Sequence, residues 1–127
     1  MQLFESGEMY LETILVLMKE KGTDDALHIH AVDISEAMGF SKPSVSRALS
    51  NLKEGGFITV EDNGDVMLTK TGRKVAEKIY AMHTTLTEFF VKLGVDEKIA
   101  SEDACKIEHV ISDDTFRCIC EHLQKMD

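Results

Sequence analysis

Three side chains near the C-terminus, Cys105, Glu108 and His109, have the types and the spacing of a metal-binding motif. In a helix, Cys105 and His109 would lie one turn apart and Glu108 would lie between them, so all three could converge. Thiolate, carboxylate and imidazole groups together bind divalent transition metals. A half-buried cysteine beside two surface residues fits this spacing equally well. The motif therefore predicts a metal site only if other residues complete it.

Two other segments offer groups that could complete such a site. Near the N-terminus, Glu8-Met9-Tyr10-Leu11-Glu12 supplies a thioether and carboxylates, and His83 supplies an imidazole in the middle of the chain. Each also has an ordinary structural interpretation: Met9 as a core side chain, Glu12 as an exposed carboxylate and His83 as a buried histidine. Their relevance depends on whether the fold brings the three segments together.

The composition is that of a folded protein with one or two small domains. The 127 residues are 43% hydrophobic and 29% charged and include one proline, which argues against extensive disorder. There is no long apolar run and no signal-peptide pattern, so we expect a soluble, cytoplasmic protein. Three cysteines, an odd number, argue against a disulfide framework.

The charges divide the chain into a neutral centre and acidic flanks. The net charge is −9, but the residues from Ala26 to Tyr80 contain equal numbers of basic and acidic side chains, so the flanks carry the whole excess. Within the centre, the stretch from Ser41 to Lys53 contains basic residues and no acidic residue. That stretch is suited to meet phosphate, and the flanks are suited to attract cations.

The first half of the chain predicts three helices. Apolar residues at helical spacing predict the first from Gly7 to about Lys21, with Ser6 as its N-cap and Gly22 as its end before a polar loop at 23–25. The second runs from Ala31 to Met38 and ends at a glycine. Its inward residues would be Ile34, Ala37 and Met38.

A third helix is predicted after Ser41, which is a favourable N-cap and is followed by a proline in the first turn. Its buried face would consist of Val45, Leu49 and Leu52, and Gly55-Gly56 would end it. Two short helices joined around a glycine are typical of a helix-turn-helix.

A β-hairpin is predicted directly after these helices. The runs Phe57–Val60 and Val66–Leu68 favour strands, and Asn63-Gly64 between them is a strong hairpin signal because both residues accept positive φ. A hairpin that follows a helix-turn-helix is a wing, so the order predicts a winged helix. An unrelated helix–helix–hairpin domain is the alternative.

The second half predicts three further helices. Thr69 would cap a long helix from Lys70 to about Leu93, whose many large apolar residues indicate a partner surface and hence dimerisation. A helix from Asp96 to about Ile111 would carry the Cys105 motif. Ser112 would cap the last helix, which has an apolar stripe. The stripe consists of Phe116, Ile119, Cys120 and Leu123.

This order of elements and motifs resembles the diphtheria-toxin-repressor family of iron- and manganese-dependent transcriptional repressors, in its short form without the SH3-like domain. The resemblance covers nearly the whole chain. The motifs that carry it are Glu8-Met9-Tyr10-Leu11, Ser41-Lys42-Pro43-Ser44-Val45-Ser46, Leu68-Thr69-Lys70-Thr71-Gly72 and Ala104-Cys105-Lys106-Ile107-Glu108-His109-Val110-Ile111-Ser112-Asp113.

The resemblance implies a metal site between the first helix and the dimerisation helices. The ligands carried over by position are Met9, Glu12, His83, Cys105, Glu108 and His109. Met9 and Cys105 match the iron type of the family, whereas Glu12 matches the manganese type, so Fe2+ is favoured and Mn2+ is possible. Thr87 and Ser101 stand where an iron-type ancillary site would place a Glu and a His. No other histidine or cysteine is assigned to the metal, and His28, His30, His122, Cys118 and Cys120 are expected to be structural or surface residues.

The expected fold is mainly α with a small β-hairpin wing. Residues 1–70 would form the winged helix-turn-helix DNA-binding domain and residues 71–127 the helical dimerisation and metal-binding domain. The resemblance implies a homodimeric repressor that binds double-stranded operator DNA when loaded with metal, without enzymatic activity. The expected DNA-contacting residues are Ser41, Lys42, Ser44, Ser46, Arg47, Asn63, Lys70 and Arg73, with Arg47 as the base reader.

Two other functions compete with this interpretation. A metalloenzyme or thiol enzyme would use Cys105 with His109, but the sequence contains no phosphate loop, no nucleophile elbow and no second carboxylate-rich cleft. A winged-helix redox sensor would respond to oxidation of Cys105 and would ignore metal.

Overall fold

The computed structural model describes residues 5–21 and 28–126. In these ranges the elements are α1 (Glu5–Lys21), α2 (Ala31–Met38), α3 (Lys42–Glu54), β1 (Ile58–Val60), β2 (Val66–Leu68), α4 (Lys70–Leu93), α5 (Glu97–Ile107) and α6 (Asp113–Gln124). They belong to two units, Met1–Glu77 and Lys78–Asp127. No described helix is both long and apolar enough to cross a lipid bilayer.

The first unit is a winged helix, as predicted. Gly39 ends α2 in the left-handed conformation with φ 72°, and Ser41 caps α3 by accepting a hydrogen bond from the Ser44 backbone N–H at 3.3 Å. The proline stands in the first turn of α3. Large apolar side chains of α1, α2 and α3 form the core. Its buried members include Leu11, Ile14, Ile34, Val45, Leu49 and Leu52.

The hairpin has the predicted strands but a different turn. Antiparallel pairing joins Ile58 to Leu68 and Val60 to Val66. Gly64 has φ 92°, but no described non-glycine residue has positive φ, so the expectation for Asn63 was wrong. The loop spans five residues, and Asn63 stabilises it through its side chain, since Oδ1 accepts a hydrogen bond from the Asp65 N–H at 3.0 Å.

The first turn of α4 lies very close to the start of the hairpin. Thr69 caps α4 as predicted, because its Oγ1 accepts a hydrogen bond from the Gly72 N–H at 3.1 Å. The same hydroxyl donates to the Gly56 carbonyl at 2.7 Å. A Cβ atom added at Gly72 would lie 1.9 Å from the carbonyl oxygen of Phe57. Only glycine therefore allows this approach of helix to backbone.

The second unit contains the remainder of α4 with α5 and α6. The predicted bounds of α4 are confirmed, and Ile79, Met82 and Leu86 are its buried residues in this unit. Asp96 caps α5 by accepting from the Lys98 N–H at 3.1 Å. Ser112 caps α6 by accepting from the Thr115 N–H at 3.1 Å. No residue of α6 is fully buried, and its apolar stripe is half-buried.

Ser6 and Ala37 do not have the roles predicted for them, and the predicted end of the first helix lies outside the described residues. Ser6 is not an N-cap, because it lies inside α1, which the structure describes as Glu5–Lys21. Ala37 is exposed, because the short α2 buries a narrow face centred on Ile34, while Met38 is half-buried. Gly22 and the loop at 23–25 are outside the described residues.

Candidate metal centre and nucleic-acid interface

The helix that carries the Cys105 motif ends earlier than expected. It ends at Ile107, where the N–H of the C-cap residue Glu108 donates to the Ala104 carbonyl at 2.9 Å, and His109 lies in a turn. The prediction that Cys105 and His109 lie one turn apart on one helix was therefore wrong. The cause is the N-cap of the next helix at Ser112, since the chain must change direction between Ile107 and that residue. Cys105 remains on the last turn of α5 and is half-buried.

Glu108 continues the buried face of α5. Ala100 and Ala104 are completely buried, and Glu108 follows them at the same four-residue spacing. Its side chain has no exposed surface. A carboxylate is rarely buried unless other groups compensate its charge. The buried Glu108 carboxylate thus requires a neighbouring group that compensates its negative charge.

Two imidazoles surround this carboxylate. Oε2 of Glu108 lies 2.9 Å from Nδ1 of His83, and Oε1 lies 3.4 Å from Nε2 of His109. The His109 side chain is completely buried and that of His83 is 24% exposed. Among the described residues, no group donates a hydrogen bond to Oε1 of Glu108. A buried carboxylate oxygen in this state fits a divalent cation.

Ser101 positions His83, a role that the sequence alone did not reveal. Its hydroxyl lies 3.3 Å from Nε2 of His83, on the opposite side of the ring from Glu108. Such a contact fixes the orientation of a candidate ligand. Thr87 instead donates to the backbone carbonyl of His83 at 2.7 Å. Thr87 and Ser101 therefore both contact His83.

The structure brings His83, Glu108 and His109 together within the second unit. Met9 and Glu12 belong to α1 in the first unit, where both are half-buried. Cys118 is exposed and Cys120 is half-buried, both on α6. The donor set around Glu108 fits a divalent transition metal, because it combines a buried carboxylate oxygen with imidazole nitrogens.

The second candidate site is the exposed face of α3. Ser46, Arg47 and Ser50 are exposed, and with Asn51 they line a shallow cavity of about 350 Å³. Ser41 and Lys42 are also exposed at the helix start. This face presents hydroxyl, amide and guanidinium donors, which are the groups that contact phosphates and base edges.

The other predicted DNA-contacting residues differ in their surroundings. Ser44 is half-buried, and its hydroxyl accepts a hydrogen bond from the Ser41 hydroxyl at 3.0 Å, so it supports the helix cap. Asn63 is exposed on the wing and bonds to Asp65. Lys70 and Arg73 are exposed on the first turn of α4. All of these residues belong to the first unit.

Two family models together match almost the whole chain. Residues 2–66 match the iron dependent repressor N-terminal DNA binding domain, and residues 69–127 match the iron dependent repressor metal binding and dimerisation domain. The chain belongs to the iron-dependent repressor family. This confirms the family inferred from the motifs, and the chain is a metal-dependent transcriptional regulator rather than an enzyme.

Individual proteins are also similar to this chain over most of its length. An uncharacterised helix-turn-helix-type transcriptional regulator of Methanocaldococcus jannaschii is 34% identical over 122 residues, covering 95% of this chain and 94% of the relative. The transcriptional regulator MntR of Geobacillus kaustophilus is 31% identical and covers 84% of this chain and 72% of the relative. Among solved structures, the manganese regulator SloR has a TM-score of 0.78 and 25% identity. That match covers 98% of this chain and 55% of SloR, so this chain spans about half of that structure.

Proposed function

We propose that this metal-dependent regulator senses Fe2+ through a site built on Glu108 and responds by binding operator DNA. The observation that carries the proposal is the buried Glu108 carboxylate between His83 and His109, with one oxygen that accepts no hydrogen bond from the described residues. Bound metal would supply the positive charge that this carboxylate requires. Binding requires neutral imidazoles and an ionised carboxylate, so it is coupled to proton loss.

We propose that Met9, Glu12 and Cys105 complete the ligand set. The support is the resemblance to the family: Met9 and Cys105 lie in two of its motifs, and Glu12 directly follows the first of them. In this arrangement metal links the first helix to the helices that pair two subunits. The ion promotes DNA binding because it binds more tightly to the DNA-competent arrangement than to others. Such a difference in affinity is required of any allosteric effector. Two recognition helices then fit half-sites about 34 Å apart in adjacent major grooves.

The preference for iron rests on the chemistry of the proposed donors. A thiolate from Cys105 and a thioether from Met9 are soft ligands and favour Fe2+ over Mn2+, which prefers oxygen. Glu12 and Glu108 supply enough oxygen to keep Mn2+ as a second physiological candidate. Zn2+ is expected to bind in vitro as well, in line with the general order of divalent affinities. Two of the similar solved structures are named for manganese, so the preference for Fe2+ has to be tested on this chain itself.

Replacing the two soft donors, Met9 and Cys105, is expected to change which metal activates operator binding at the lower free concentration. We expect Fe2+ to activate operator binding of the wild-type protein at a lower free concentration than Mn2+. The double variant Met9→Asp, Cys105→Glu should move the preference toward Mn2+, because both positions then offer oxygen. Anaerobic fluorescence-anisotropy titrations of both proteins with each metal measure this. Activation of the wild type by Mn2+ at the lower concentration would contradict the iron assignment, and an unchanged order in the double variant would remove Met9 and Cys105 from selectivity.

DNA contact is proposed for the exposed face of α3 and for its neighbours. Arg47 reads bases, whereas Ser41, Lys42, Ser44 and Ser46 contact phosphate or base edges. The wing at Asn63 and the basic residues Lys70 and Arg73 contact the backbone. We propose that residues 1–70 form the DNA-binding part and residues 71–127 the metal-binding and dimerisation part, acting in the cytoplasm.

A homodimer is expected both with and without metal. Leu93 is 58% exposed and Val91 is 41% exposed on α4, and the stripe Phe116, Ile119 and Leu123 of α6 is only half-buried in the single chain. Apolar area of this extent favours burial against a second copy. Analytical ultracentrifugation at micromolar protein should give the dimer mass in both states. A monomer mass in both would contradict the proposal.

A further inference from the structure

We propose that Asp65 is a positioning residue that fixes the wing for DNA binding by holding His28 and His30. The wing is defined here as the hairpin from Ile58 to Leu68. The inference rests on the proposed function, because it assigns the wing a place in the DNA complex. It adds to that function a cluster of one carboxylate and two imidazoles that neither the metal site nor the recognition helix uses.

One carboxylate joins two histidines from a different part of the chain. Oδ2 of Asp65 lies 2.8 Å from Nδ1 of His28, and Oδ1 lies 2.6 Å from Nε2 of His30. The two histidines alternate along an extended segment, so both side chains lie on the same side. Between them, the Ile29 carbonyl accepts a hydrogen bond from the Val66 N–H at 2.7 Å, and Ile29 is 1% exposed. The segment from His28 to His30 is therefore attached to the wing by backbone and side-chain bonds.

Asp65 also organises the loop of the wing. Nδ2 of Asn63 donates to Oδ2 of Asp65 at 3.2 Å, and the Asp65 carbonyl accepts from the Glu61 N–H at 2.8 Å. The Asp65 side chain is 12% exposed, whereas those of His28 and His30 are 62% and 44% exposed. The hydrogen bond from His28, aided by those from His30 and Asn63, holds the pKa of Asp65 below its usual range. The ionised Asp65 carboxylate is thus hydrogen-bonded both to the His28–His30 segment and to the loop of the wing.

His30 connects Asp65 to the helix-turn-helix. It precedes α2, and its backbone N–H donates to Oδ2 of Asp33 at 2.8 Å. Its ring lies next to the tip of the wing, since a Cβ atom added at Gly64 would be 3.9 Å from Cδ2 of His30. A displacement of Asp65 would therefore move the tip of the wing relative to α2.

The wing and α3 line a common cleft. The cleft has a volume of about 520 Å³. It is lined by Asn63 and Gly64 of the wing, by Ser46 and Lys53 of α3, and by His30. Ser46 also belongs to the exposed recognition face of α3. The position of the wing therefore determines where the wing contacts the DNA backbone relative to the bases that α3 reads.

The test compares two aspartates of the same loop in the full chain with activating metal. Asp65→Ala and Asp62→Ala each remove one negative charge, but Asp62 is exposed and outside the cluster. Operator affinity is measured by anisotropy across a salt series. We expect Asp65→Ala to bind about 10-fold more weakly, with a salt slope reduced by about one, because misplaced wing residues lose phosphate contacts. Asp62→Ala should bind equally or slightly more tightly, with an unchanged slope.

A second pair of variants separates positioning from general destabilisation. His28→Gln with His30→Gln keeps side-chain donors and should retain most of the affinity, whereas the double alanine variant should behave like Asp65→Ala. The two double variants provide the test if Asp65→Ala does not fold. Partial unfolding is recognised by the salt series, because a lower folded fraction changes the apparent operator affinity without changing its salt slope. Equal affinities and slopes for the double glutamine and double alanine variants would overturn the proposal.

Other outcomes also decide the inference. Metal stoichiometry should be the same in the wild type and in Asp65→Ala; loss of one equivalent in the variant would assign the cluster to metal binding and overturn the positioning role. Identical behaviour of Asp65→Ala and Asp62→Ala on an operator that the wild type binds would overturn it as well. If the wild type itself shows no metal-dependent binding to any operator, the proposed function fails, so the two failures are distinguishable.

Discussion

Replacing Glu108 by glutamine is expected to lower the affinity for activating metal by more than about 100-fold and to abolish metal-dependent operator binding. Changes to groups that merely support metal ligands cost about 10- to 100-fold, so loss of a charged ligand should cost more. The amide keeps the shape of the side chain and can still bond to His83, but it carries no charge. The defect should therefore lie in metal binding rather than in the fold.

The matched control is Glu102→Gln, which removes the same charge from an exposed position of α5. Metal affinity is measured by competition with a chromophoric chelator, and thermal unfolding of the metal-free proteins is followed by circular dichroism. We expect Glu102→Gln to resemble the wild type and both metal-free variants to remain folded. Wild-type metal affinity in Glu108→Gln would refute the assigned centre.

Replacing Arg47 by alanine is expected to weaken specific operator binding by about 1–3 kcal/mol, the value for a bidentate contact between arginine and guanine. The side chain is exposed on α3 beside Ser46 and Ser50 and lies in a stretch without acidic residues. Binding to unrelated DNA should weaken much less, because only one charge is lost. Metal affinity should hardly change.

Arg117→Ala is the control for loss of an arginine, since Arg117 is exposed on α6 in the second unit. Arg47→Lys adds a second comparison: it keeps the charge but loses the planar fork, so it should retain non-specific binding and lose specificity. Gel-shift and anisotropy assays with operator and scrambled DNA measure all three variants. Unchanged operator affinity in Arg47→Ala would remove Arg47 from the base-reading set.

Most of the fold could be predicted from local sequence, because local chemistry determines many of the helix boundaries. Gly39, Ser41 and Thr69 end or begin helices through backbone conformation and capping bonds that involve only neighbouring residues. The long α4 followed from the spacing of its apolar residues. The family was recognisable because four such motifs occur in order, and the two matching family models confirm it.

The parts that could not be predicted depend on contacts between distant residues. The roles of Ser101 beside His83 and of His28 and His30 beside Asp65 require side chains from different elements, and no local pattern indicates them. The burial of Glu108 did have a signal, since it continues the spacing of two buried alanines on α5. The early end of α5 followed from competition between a continuing helix and the next N-cap, which propensity alone does not decide.

The central claim is that metal at the Glu108 centre controls operator binding, and reversible metal removal tests it most directly. Operator binding by the wild-type protein is measured anaerobically by anisotropy, first with Fe2+, then after excess chelator, and again after Fe2+ is restored. We predict tight binding, loss of binding and recovery in that order, while Glu108→Gln stays inactive throughout. Operator binding that persists in chelator but disappears with peroxide would contradict this account and would favour a redox sensor based on Cys105.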